Sequence, residues 1–188
     1  KQIVRYLINM NLSVINKVFS FGAIAFQACI ALAVLYLIFF RGKRIAVADF
    51  LGKHGLVFSF IISLAATVGS LFYSNVAGFA PCDLCWFQRI FMYPLVALTG
   101  LALIKKDRKI ADYILLLSSI GGAVSFYHNV MYYYNGGLNV FCNLGGGQVS
   151  CIKRYVFEFG YMTIPLMSLT VFAVIIVLMI SIKKYERA

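Results

Sequence analysis

The chain has 188 residues, 62% of them apolar and only 12% charged, and its mean hydropathy is +0.89. That balance excludes a water-soluble globular domain and places the chain in lipid. The formal charge of +11 does not indicate nucleic acid as a partner, because the basic residues flank apolar spans, the pattern of cytoplasmic membrane boundaries.

In chain order, segment 1–17 spaces Gln2, Arg5, Asn9, Ser13 and Asn16 by three and four, opposite Ile3, Leu7 and Met10. This predicts an interfacial helix. Span 18–40 follows. It lacks a short apolar core leading into a small-residue cleavage site, so it is predicted to be a retained anchor. Spans 56–77, 86–104, 110–134 and 161–182 complete the set. Each can cross the roughly 30 Å hydrocarbon layer, which takes about 20 helical residues. The predicted fold class is an all-α polytopic membrane protein, one integral membrane domain over 1–188 with 135–160 as its only sizeable loop. No fixed repeat period is visible, and Gly145 to Gly147 is too brief for low-complexity sequence.

Most of the 17 basic residues lie in three segments: Arg41, Lys43, Arg44 and Lys53; Lys105, Lys106, Arg108 and Lys109; and Lys183, Lys184 and Arg187. All three share one side in a five-span topology, which predicts that side as cytoplasmic and puts loops 78–85 and 135–160 outside. The N-terminus is then outside too. Lys1, Arg5 and Lys17 oppose this, leaving open a first span that does not fully cross.

Cys82, Cys85, Cys142 and Cys151 fall in the two outside loops, whereas Cys29 lies within a span and reads as an inert buried thiol. Outside the cytoplasm thiols persist oxidised. Cys82 with Cys85 and Cys142 with Cys151 is the simplest of the possible pairings. A C-x-x-C bridge closes a tiny loop and so braces little, which suits it to redox exchange. Pro81-Cys82-Asp83-Leu84-Cys85 directly precedes span three, putting Cys85 near a helix N-terminus, where the dipole favours a thiolate. Arg89 lies one turn further on the same face. A charge inside a membrane is functional by default, and snorkelling to the outer interface is compatible with that.

The glycines at 136, 137 and 145–147 predict a loop able to carry Cys142 and Cys151 to a soluble protein and back by thiol–disulfide exchange, so that two pairs form a relay. Beyond Cys151, Ile152, Tyr155, Val156 and Phe159 alternate with Lys153, Arg154 and Glu158 at helical spacing, predicting a short surface helix. Trp86, Tyr93 and Tyr132 to Tyr134 fit an interfacial aromatic belt, and Pro94 and Pro165 kink or start helices.

These residues resemble the disulfide bond formation protein B (DsbB) family, in particular its BdbC-like branch. The resemblance is carried by Pro81-Cys82-Asp83-Leu84-Cys85-Trp86-Phe87-Gln88-Arg89-Ile90 with Met92-Tyr93-Pro94, then Tyr127-His128, Ser150-Cys151, Phe159-Gly160 and Thr163-Ile164-Pro165, within 56–182. It implies a four-helix transmembrane bundle holding a quinone, ubiquinone or menaquinone, at its outer edge, with span 18–40 as an additional helix. By resemblance, Cys142 is attacked by a reduced extracytoplasmic thioredoxin-fold thiol oxidase of the DsbA or BdbD kind, and Cys151 is its pair. Cys82 then receives the exchange and Cys85 faces the quinone as thiolate, with Arg89 stabilising that charge or bonding a quinone oxygen. His128 is expected to assist the quinone or its protons, or to serve as an interhelical hydrogen bond. Gln88 and Trp86 are further candidates for binding the quinone, Gln88 otherwise capping polar backbone nearby and Trp86 walling the pocket, and no metal is expected. The implied function is a thiol:quinone oxidoreductase of a bacterial-type cell membrane, multi-pass, surrounded by lipid and the quinone pool, with its redox cysteines extracytoplasmic.

Two alternatives stand beside it. A vitamin K epoxide reductase-like enzyme also has two cysteine pairs, but in the reverse chain order. A zinc-binding or structural bundle would use the four outer cysteines as ligands, against which stand Arg89 beside the C-x-x-C and the eight residues between Cys142 and Cys151.

Overall fold

The computed structural model describes the backbone of residues 2–39, 46–134, 150, 151, 153 and 155–186, with side chains throughout except at 2–11 and 33–49. Its helices are α1 (Gln2–Phe39), α2 (Ala46–Asn75), α3 (Asp83–Lys105), α4 (Ala111–Tyr133) and α5 (Ile164–Glu186). All five contain segments long and apolar enough to cross a membrane; at 23 residues each, α3 to α5 extend about 34 Å. The protein is an all-helical, multi-pass membrane protein.

Local chemistry sets the helix ends. Extended Cys82 precedes α3 and Asp83 occupies its first turn, while Lys106 leaves the other end in the left-handed region at φ 53°. Thr163 Oγ1 accepts the Leu166 backbone N–H at 3.3 Å, and Pro165 lies in the first turn of α5, where a missing N–H costs nothing.

Helices α2 to α5 form a bundle in which α2 and α4 each pack against both α3 and α5, and α1 lies outside against α5. Phe172, Leu95, Ile114, Ile175, Met179 and Ile182 are fully buried at its centre. Helices α4 and α5 approach so closely that a Cβ on Gly121 would stand 2.4 Å from the Phe172 ring. Lipid is as apolar as leucine, so such contacts and directed hydrogen bonds, rather than escape from water, hold the helices together. Tyr73 donates to Asn16 (2.9 Å), Gln27 to Thr170 (2.8 Å), and Ser125 and Ser168 share a bond of 3.2 Å.

Lys105, Lys106, Arg108 and Lys109 lie at the α3–α4 turn, at the same end as the last turn of α5. Lys183 pairs with Asp112 there, and the Arg108 guanidinium lies 5.3 Å from the Tyr185 ring centroid. The C-x-x-C is at the opposite end.

Three features differ from the sequence reading. Helix α1 is unbroken from Gln2 to Phe39, rather than an interfacial helix 1–17 followed by a span from 18. Asn16-Lys17-Val18 offers no glycine or proline to end a helix, and Asn16 is buried against Tyr73 rather than at an interface. The surface helix expected after Cys151 is absent among the described residues. The chain instead closes a tight turn in which Glu158 and Met162 exchange backbone bonds of 3.0 and 2.8 Å, with Phe159 and Gly160 at φ 53° and 77°. The left-handed backbone at these two residues is incompatible with helical continuation. Cys29 is exposed on the outer face of α1 instead of buried. Cys142 and the glycines of its loop lie outside the described residues.

Candidate active site

Placing Cys82 before the first residue of α3 and Cys85 within its first turn folds the two side chains toward each other. Their sulfurs stand 2.9 Å apart, both as free thiols, and the turn is closed by Trp86 N–H bonding to Cys82 O at 3.1 Å. Cys82 is buried, 5% exposed, and Cys85 half-buried. The hydrogen bond from the Cys85 thiol is the main influence holding the Cys82 thiol below the ordinary cysteine range. Burial opposes it, and a hydrogen bond with His128 adds to it. His128 bears on Cys82, whereas Cys85 lies within the first turn of α3, where the helix dipole acts. Helix α4 brings His128 to the Cys82 sulfur.

His128, 1% exposed, connects three parts of the chain. Its Nδ1 is 3.0 Å from Gln88 Nε2, and its Nε2 is 3.1 Å from the Cys151 carbonyl and 3.9 Å from Cys82 Sγ. A carbonyl only accepts, so Nε2 carries the proton and Nδ1 accepts from the Gln88 amide. The Nε2 proton therefore faces both the Cys151 backbone and the Cys82 sulfur. Cys82, Leu84, Met131 and Cys151 pack as one buried cluster, and Cys151 is disulfide-bonded. The structure thereby brings Cys82, Cys85, Gln88, His128 and Cys151 together; Cys142 lies outside the described residues.

Arg89 is on the next turn of α3, but its guanidinium reaches across to α2. Nε donates to Ser70 Oγ (3.0 Å), and Nη2 donates to the Ser70 carbonyl (3.2 Å) and to Ser74 Oγ. Cζ lies 5.1 Å from the Trp86 ring centroid, a cation–π contact. These bonds hold the charge in place and leave Nη1 without a described hydrogen bond. Trp86 itself is 53% exposed and covers Arg89 from outside.

Cys82, Cys85, Gln88, Arg89, His128 and Cys151 all line one apolar cavity of about 350 Å³, a size suited to a small organic ligand; Trp86 is not among its lining residues. Sequence reasoning overlooked Ser70 and Ser74, whose spacing of four in an apolar span placed them on one helical face. It also overlooked the contribution of α1 to the cavity wall, which no local pattern announces. Cys82, Cys85 and His128 offer three ligand atoms within 4.8 Å of one another.

A stacked column leads from this cavity to the segment after Cys151. Phe79 lies between Tyr73 (centroids 5.7 Å, interplanar 9°) and Tyr155 (4.6 Å, 17°). It holds Tyr155 against the cavity wall.

The family described as disulfide bond formation protein DsbB matches residues 52–182, from within α2 to within α5. Probable disulfide formation protein C 1 of Bacillus anthracis is 44% identical over 117 residues, covering 61% of this chain and 81% of its own length. Disulfide bond formation protein C of Bacillus subtilis is 37% identical over 134 residues, 70% of this chain and 96% of its own. A probable disulfide formation protein of Chlamydia pneumoniae is 35% identical over 138 residues, 73% and 98% respectively. No solved structure matches the chain. With the C-x-x-C dithiol at the helix end and the family match across α2 to α5, this chain belongs to the DsbB family, on the branch of the disulfide formation protein C relatives, and is a disulfide-forming membrane oxidoreductase.

Proposed function

We propose that the protein reoxidises an extracytoplasmic thioredoxin-fold thiol oxidase and passes two electrons through its two cysteine pairs to an isoprenoid quinone, ubiquinone or menaquinone. The observation that carries this reading is a free dithiol that opens on an apolar cavity shared with Arg89 and Cys151. Gathering of the basic residues at the opposite end supports placing the dithiol on the extracytoplasmic side.

The reduced partner attacks Cys142 and forms a mixed disulfide, releasing the Cys151 thiol. Resolution by the partner's second thiol frees the oxidised partner and leaves Cys142 and Cys151 reduced. Exchange with the Cys82–Cys85 disulfide re-forms the Cys142–Cys151 bond and leaves the dithiol at the head of α3. The packing of Cys82 beside Cys151 suits this transfer. In this reading Cys82, held below the ordinary cysteine range, is the thiolate and Cys85 the thiol bonded to it. Oxidation of the pair removes two electrons and the Cys85 proton and forms the S–S bond. A bound quinone would supply the electron sink, taking up the two electrons, that proton and a second proton equal to the one lost when Cys82 became a thiolate. Arg89, clamped on Ser70 and Ser74 with Nη1 open, places fixed positive charge on the wall where negative charge develops. His128 Nε2 holds a proton between Cys151 and Cys82.

The test is quinone reduction in vesicles by a reduced thioredoxin-fold partner, comparing the native chain with Cys85→Ser and Cys142→Ser. Both variants are expected to lose it. Undiminished reduction by either one would refute the relay.

A further inference from the structure

Helix α1 lies outside the family match over 52–182, yet it forms one side of the cavity, contributing Val18, Phe19, Gly22, Ala23 and Phe26. We infer that α1 is a built fifth wall of the quinone cavity and that Gly22 is the residue whose missing side chain leaves room for the ring or first isoprene unit of the quinone. This rests on the quinone reading above and deepens it.

Two independent observations support it. The first is the environment of Gly22. Glycine in a helix interior weakens the helix relative to alanine, so its presence calls for a reason. In the bundle that reason is close helix approach: a Cβ at Gly52, Gly55 or Gly121 would meet Tyr185, Ile182 or Phe172 at 2.5, 2.9 or 2.4 Å. At Gly22 a Cβ would meet nothing within 4 Å. No neighbouring helix demands glycine there, and the space it leaves belongs to the cavity.

The second is how α1 is held. Hydrogen bonds pin it on both sides of Gly22, Asn16 accepting from Tyr73 OH at 2.9 Å and Gln27 donating to Thr170 at 2.8 Å. Gln27 Oε1 also accepts from Tyr161 OH at 3.2 Å. Polar side chains at membrane depth need partners, so these bonds set the rotation of α1 and with it the direction in which Gly22, Phe19 and Phe26 point. Across the cavity stand Cys85, Arg89 and Met92. An apolar planar ring is the ligand class that this combination of aromatic wall, dithiol and guanidinium accepts.

The experiment uses the full chain in detergent, titrated with decylubiquinone and separately with menadione. Binding is read from quenching of Trp86, the chain's one tryptophan, which lies over Arg89. Gly22→Leu is expected to raise the half-quenching concentration of at least one quinone on the order of tenfold to a hundredfold, the range for a mis-sized group in an apolar pocket. Gly22→Ala shifts it in the same direction by less. Equal quenching of native chain and Gly22→Leu by both quinones overturns the inference and leaves the quinone reading standing. Absence of quenching in the native chain overturns both. If thermal melting shows that Gly22→Leu does not assemble, Gly22→Ala decides: it strengthens the helix, and unchanged half-quenching for both quinones then overturns the inference.

Discussion

Replacing His128 by alanine separates the stability role of its imidazole from its role at the dithiol. The ring bonds Gln88 at 3.0 Å and the Cys151 carbonyl at 3.1 Å, both between elements of the buried redox end. Interhelical hydrogen bonds in membrane proteins average about 0.6 kcal/mol and reach about 1.7, because a separated helix finds other partners. Losing two therefore costs on the order of 1–3 kcal/mol, which leaves the bundle assembled and its chemistry measurable. The larger consequence falls on Cys82. Its thiol is held below the ordinary range first by the Cys85 hydrogen bond and then, against burial, by His128. A lowered pKa means that thiolate persists as pH falls below the usual cysteine value of about 8.5, so native Cys82 is alkylated at lower pH than an ordinary cysteine of equal burial. Without His128 the profile moves to higher pH. A tenfold loss of thiolate corresponds to about 1.4 kcal/mol, the scale of one hydrogen bond to a charged group, so alkylation at pH 7 falls about tenfold. The assay is iodoacetamide labelling of the reduced chain between pH 5 and 9, with the labelled cysteine identified by peptide mass. His128→Asn, which keeps a donor near the Cys151 carbonyl, falls in between. A His128→Ala profile that coincides with the native one, or moves to lower pH, would refute the assignment of His128 to the thiolate.

Arg89→Ala removes a charge-assisted contact worth about 1.5–3 kcal/mol, so kcat/KM for the quinone drops roughly tenfold to a hundredfold. Arg89→Lys recovers only part, because one ammonium cannot reproduce the fork on Ser70 and Ser74. Gly121→Leu drives a side chain into Phe172, costing about 1–3 kcal/mol or more; thermal melting in detergent drops, and the double variant with Phe172→Ala recovers part of the loss. Phe79→Ala removes two ring contacts worth about 0.5–1.5 kcal/mol each. Limited proteolysis then cuts near Tyr155 faster, with the melting of the helical bundle little changed.

Much of this protein is legible in its chain. Apolar runs of span length need no partner to become helices in lipid, because each satisfies its own backbone, so the spans are readable one at a time. The C-x-x-C at the head of α3 is equally local: helix geometry alone brings residues three apart to one side. Where local pattern and tertiary context compete, the pattern misleads. The spacing after Cys151 looks helical, yet Phe159 and Gly160 turn the chain back through left-handed backbone. The polar stripe of 1–17 looks interfacial, yet α1 continues unbroken and Asn16 is buried on Tyr73. Cys29 sits among apolar neighbours in sequence, and only the position of α1 outside the bundle shows that it faces outward.

By itself, then, the sequence determined the number of spans, the helix end that carries the dithiol and the chemical class of the pair, all set by contacts within a few residues. Tertiary structure alone decided that His128 meets the dithiol, because it is 46 residues from Cys82 and reaches it only through the packing of α3 against α4. It likewise decided that Arg89 is clamped on α2 and that α1 walls the cavity, since side-chain direction between helices depends on how they rotate against one another, which no single span encodes.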